Sequence, residues 1–116
     1  MGLRIEENLY QKAGLKFERH YGLVLIQAPD AKRFFEWCLE NEVGVIGFDT
    51  FIIHPGETRP LIKWSPDLSL YRSYPNFSEN SAIYSSWLLQ EIRDSEGDSV
   101  YLEIFVVSAD ARRHLC

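Results

Sequence analysis

Few residues in this chain of 116 could do chemistry, and their spacing limits what they can do. His20 and His54 are candidate general bases, because an imidazole titrates near neutral pH, and Asp49 could orient either ring. Against that, no serine or cysteine stands in a nucleophile motif and neither H-x-x-H nor H-E-x-x-H occurs, so a solvent-facing or locally hydrogen-bonded histidine is the plainer account. Asp49 interrupts the apolar run 45–53, where an ionised carboxylate is costly unless it is exposed or paired. It is either an ordinary outward strand position, sharing a face with Val45 and Gly47, or a partner for a Lys or Arg of another protein. Gly44 and Gly47 have a Gly-x-x-Gly spacing, yet no Gly-Lys-Ser/Thr follows and no helix starts there. A strand bulge or close packing explains them better than a phosphate loop.

The elements that must position these residues are legible from periodicity. Residues 3–15 carry Leu3, Ile5, Leu9, Tyr10 and Ala13 at weak helical spacing, ended by Gly14. A short aliphatic run over 21–27 reads as a buried strand. Asp30 is then expected to cap a helix whose apolar positions Ala31, Phe34, Phe35, Cys38 and Leu39 form one face. Strand 45–53 follows, and Pro55-Gly56 suggests a return to a second strand at 61–64, with Pro60 opening it at a sheet edge. The stretch 65–78 is a long loop. A second helix is expected from an N-cap at Ser78, with Ala82, Ile83, Trp87, Leu88 and Ile92 on its apolar face. The clearest strand spans 99–107, with Val100, Leu102, Ile104 and Val106 on one face. Tyr101, Glu103, Phe105 and Val107 lie on the other, a partly polar face that suggests a place near an edge. From residue 21 the order is β-α-β-β-α-β. It predicts an α+β domain with two helices on one face of a mainly antiparallel four-stranded sheet, ferredoxin-like in order, with an N-terminal helix before it.

Composition narrows the function classes. Twelve basic against 17 acidic residues, net −5, argue against a phosphate-binding surface, so no nucleic-acid partner is expected and a charged partner should be basic. Cys38 in an apolar helix and the terminal Cys116 form no disulfide framework or C-x-x-C pair, which favours a reducing cytoplasm. The N-terminal residues lack the apolar core of a secretory signal, and no apolar run approaches the ~18 residues needed to span a bilayer. Glu6 occupies the position where a myristoylation signal following Gly2 needs Ser or Thr. These features predict a single-domain cytoplasmic protein with no membrane association, no metal and no cofactor. Asn76-Phe77-Ser78 matches a glycosylation acceptor, but in that setting it only marks a loop meeting a helix. The acidic group Asp94, Glu96 and Asp98 reads as a solvated turn.

The chain over 42–62, with its flanking helices, resembles small bacterial immunity proteins that neutralise polymorphic or contact-dependent toxins. The residues that carry the likeness are Ile46, Gly47, Phe48, the acidic Asp49, Phe51 two residues later, a polar turn and Pro60. The resemblance implies a non-enzymatic inhibitor that binds a cognate toxin domain, often a basic nuclease, through an acidic surface. Combining carboxylates with loop aromatics, the expected partner-binding residues are Asp49, Glu57, Trp64, Asp67, Tyr71 and Tyr74. Three alternatives stay open: a small-molecule-binding or regulatory domain, a homodimer, and a small enzyme using Asp49 with His54 or His20.

Overall fold

The computed structural model describes residues 5–115; Gly2, Leu3 and Cys116 lie outside them. The described elements run α1 (Ile5–Lys12), β1 (Glu18–His20), β2 (Leu23–Gln27), α2 (Ala28–Glu40), β3 (Val45–His54), β4 (Glu57–Pro60), α3 (Phe77–Glu96), β5 (Tyr101–Val106) and α4 (Ser108–Arg112). Single 3-10 turns occur at Ile62–Trp64 and Ser69–Tyr71.

The class is α+β, but the described sheet has five strands rather than four, and its order is β1-β2-β5-β3-β4 with antiparallel neighbours throughout. In the ferredoxin-like arrangement the hairpin strand would separate the two strands joined by the first helix. Here β5 takes that place and β4 goes to the edge. The composition of the two strands explains the exchange. β5 places Leu102, Ile104 and Val106 in the core and has even Glu103 only 8% exposed, whereas Glu-Thr-Arg-Pro in β4 carries charges and a proline that only an edge tolerates. The expectation that the last strand lies near an edge is therefore reversed. The extra strand, β1, is three residues without apolar alternation, which concealed it. It forms because Tyr21 (φ 51°) and Gly22 (φ 82°) supply the two positive φ values of a tight hairpin turn.

The second hairpin also differs from expectation. β3 and β4 are joined through Pro55-Gly56 alone, so the return strand is Glu57–Pro60 instead of 61–64, and Pro60 closes it opposite Phe51. Residues 62–64 leave the ladder as a 3-10 turn.

One hydrophobic cluster joins the four described helices to a single side of the sheet. It takes Leu9 and Tyr10 from α1, Ala28, Ala31, Phe34, Phe35 and Cys38 from α2, Ala82, Leu89 and Ile92 from α3, and Ala111 from α4. Against them stand Val24 and Ile26 of β2, Val45 and Phe48 of β3, and Leu102, Ile104 and Val106 of β5. The spacing expected for α2 holds except that Leu39 is 40% exposed, and the helix starts at Ala28 with Pro29 in its first turn, so Asp30 lies inside it and is not the cap. α3 departs further. It begins at Phe77 after a left-handed Asn76, not at a Ser78 cap, and its buried stripe is Ser81, Ala82, Ser85, Leu89 and Ile92. Ile83 and Trp87, expected inside, are 49% and 58% exposed. The small Ser81 lets the start of the helix approach β3 closely. Ser81 Oγ accepts the Val45 N–H at 2.9 Å, and the large side chains are rotated outward.

Candidate functional site: the helix-free side of the sheet

Side-chain alternation sends a second set of strand residues to the side of the sheet away from that cluster. They are Glu18 and His20 of β1, Leu23, Leu25 and Gln27 of β2, Tyr101, Glu103 and Phe105 of β5, Asp49, Phe51 and Ile53 of β3, and Thr58 and Pro60 of β4. Leu25 and Phe51 are buried although they lie outside the main cluster. None of these strand residues is Lys or Arg, and three are carboxylates.

A bulge sets this pattern. The register between β3 and β5 shifts between Val45 and Gly47, so Val45 pairs with Val106 on the core side while Gly47 and Asp49 turn to the other. Val45 therefore does not share a face with Asp49, as strict alternation would have it. Beyond the bulge Asp49 stands directly opposite Glu103, and Glu18 flanks Leu25. Like charges opposed across a strand pair repel each other. Along the same side His20 Nε2 lies 3.0 Å from Glu18 Oε1, and its ring meets Tyr101 edge-on at 6.1 Å. Partial burial and then the neighbouring Glu18 carboxylate raise the Tyr101 phenol above its ordinary range. The histidine thus has Glu18, not Asp49, beside it. His54 pairs with Glu57 and alternation points it away from Asp49, so the Asp49–His54 couple is not assembled.

The outer edge of β3 is closed by its own downstream loop. Where β4 ends, Leu61 N donates to Thr50 O, Ser65 Oγ accepts from Thr50 N, Pro66 O accepts from Phe48 N, and Leu68 N donates to Ile46 O. Gly47 permits this approach. Its φ is +154°, and a Cβ there would meet Pro66 O at 2.6 Å. The bridge between Gly47 and Asp67 brings Asp67 to the rim of the acidic side, where it, Asp49 and Phe105 border a recess of about 270 Å³. The hydroxyl and amide of Ser69, at 2.6 and 3.0 Å, hold the Asp67 carboxyl below the usual carboxylate range.

Behind the same loop lies a larger groove of about 650 Å³, between residues 66–77 and the first turns of α3, lined by Leu68, Tyr71, Tyr74, Phe77 and Tyr84. Of the six residues expected at an interface, Asp49 is on the sheet, Asp67 joins recess and groove, and Tyr71 and Tyr74 line the groove. The other two lie apart. Trp64 packs against the core, with its indole N–H 3.3 Å from Glu96, and Glu57 is exposed beside the β3–β4 turn. Glu18, Glu103 and Tyr84 were missed. The signal for Glu103 was present in the polar second face of its strand, but Glu18 sits in a strand too short to show a period.

Among the described residues no three His, Cys, Asp or Glu side chains are grouped to hold a metal ion, and no helix is long and apolar enough to cross a membrane. Cys38 is fully buried, and burial pushes its thiol far above the ordinary range, so it lacks the thiolate character of a nucleophile. No protein-family model matches the chain, and neither the curated proteins nor the solved structures contain a match.

Proposed function

We propose that this chain is a binding protein of the immunity type, one that inhibits a cognate toxin domain by covering it, with the helix-free side of the sheet as the contact surface. The observation that carries the reading is the sign of that surface: the exposed Glu18 and half-buried Asp49 stand among apolar and aromatic neighbours, with the buried Glu103 opposite Asp49 and no strand Lys or Arg on the same side. Such a face attracts a cationic partner from a distance and penalises an acidic one, which gives both fast association and specificity. The partly exposed rings of Tyr101 and Phe105 supply the apolar material an interface centre needs, while Leu25 and Phe51 are already buried within the chain. The net charge of −5 acts in the same direction. A toxin that acts on nucleic acid presents a basic substrate groove, and a carboxylate-bearing face laid over it would block the substrate's access.

The test is to capture partners with the tagged chain, purify any basic protein found, and measure both affinity and the partner's activity. Nanomolar binding with stoichiometric loss of the partner's activity is expected. Turnover of a substrate by the isolated chain, or a specific partner whose contact surface is acidic, would overturn the reading.

A further inference from the structure

The groove behind the 66–77 loop meets the acidic side of the sheet at Asp67, but its chemistry differs. Its walls are rings: Tyr71 and Tyr74 meet edge-on at 5.6 Å and 86°, while Tyr84 stands on α3 across from them, 6.0 Å from Trp87. Tyr71, Tyr74, Tyr84 and Trp87 are 51%, 62%, 41% and 58% exposed, a concentration of aromatic surface in one place. Asp67 is the carboxylate at its rim.

We propose that this groove docks an extended, proline-rich segment of a partner protein, with a basic residue of that segment meeting Asp67. Three features select this occupant. Strand addition has no place here, because the β3 edge beside the groove is already bonded, through Thr50, Phe48 and Ile46, to the 61–68 segment. Exposed tyrosine rings set edge to face suit pyrrolidine rings, which pack on aromatic faces and bring no backbone N–H to satisfy. Tyrosine hydroxyls and the Asn80 side chain, at the groove's polar positions, can donate to the carbonyls that a polyproline helix leaves exposed. Charge complementarity with Asp67 then fixes the direction of the segment. This inference stands on the groove alone and does not rest on the sheet-face reading.

The experiment uses the full chain and four fluorescein-labelled peptides of equal length in anisotropy titrations. The first is an oligoproline run ending in a pair of arginines, and the second is the same run ending in a pair of glutamates. The third is a glycine–serine repeat and the fourth an alanine-rich helix former, both ending in the arginine pair. The proline–arginine peptide is expected to bind at least tenfold tighter than the other three. Tyr74→Ala and Asp67→Asn should each weaken it at least fivefold in a chain that stays folded, and Glu18→Lys, at the opposite edge of the sheet, should leave it unchanged. Equal binding of the glycine–serine peptide would reduce the effect to bulk charge and overturn the proposal. Preference for the helical peptide would replace the occupant, and absence of binding by all four would remove the site. Loss on Glu18→Lys but not on Tyr74→Ala would assign the peptide to the sheet face instead.

Discussion

Asp49 and Glu103 oppose each other across two central strands, and that single placement joins stability to binding. Opposed like charges cost about 0.2–1 kcal/mol, so Asp49→Asn should raise the unfolding free energy by an amount of that order, read as a higher urea midpoint at low salt, with the gain shrinking as salt is added. The same substitution should weaken binding to a basic partner. An unchanged midpoint at low salt would show that the opposition is not felt. Tyr10 makes a second case at this scale. It is fully buried against Phe34, its hydroxyl finds no partner of good geometry among the described residues, and burial together with Glu6 raises the phenol well above its ordinary range. A raised pKa in the folded state means that stability is intact below the unfolded pKa and is lost as pH climbs from there towards the folded value. Wild type should therefore lose about 1.4 kcal/mol per pH unit above ~10 relative to Tyr10→Phe. Near neutral pH that variant should be within about 1 kcal/mol of wild type, since no good hydrogen bond is removed. Parallel stability–pH curves for the two chains would contradict this.

At the scale of elements, the loop that closes β3 depends on one residue. Gly47→Ala forces a side chain against Pro66 O, so it should detach the 66–68 segment and cost about 1–3 kcal/mol. Hydrogen exchange checks this directly: the Phe48 and Leu68 amides, bonded to Pro66 O and Ile46 O, should lose protection more than amides in α2. Uniform loss across the chain would mean global destabilisation instead. Periodicity made α2, β3 and β5 legible because each buries one clean stripe. It misled on α3, where Ser81, Ala82 and Ser85 face inward and the large Trp87 outward, because close helix packing selects small residues that a hydrophobicity pattern overlooks. The strand order was hidden for another reason. The same element sequence allows either β4 or β5 to pair with β3 on its inner side, and only the charge and proline of β4 against the apolar stripe of β5 decide between them.

For the whole molecule, the described helices cover one side of the sheet, and the other side carries the carboxylates and aromatics on which the proposed contact rests. Of the six expected interface residues, Asp49 lies on that side and Asp67 at its rim, Tyr71 and Tyr74 line the separate groove, and Glu103 and Glu18 could be placed beside Asp49 only once the sheet order was known. The bulge at Gly47 is what turns Asp49 outward, and a one-residue change of register would have pointed it into the core. The most direct test of the central claim is calorimetry of the purified complex with wild type and with the Asp49→Lys, Glu103→Lys double variant, each first shown to be folded by circular dichroism. A contact through this side of the sheet predicts a loss of at least about 3 kcal/mol, more than a hundredfold in affinity, concentrated at low salt. An unchanged dissociation constant in a folded double variant would place the contact elsewhere and contradict the account.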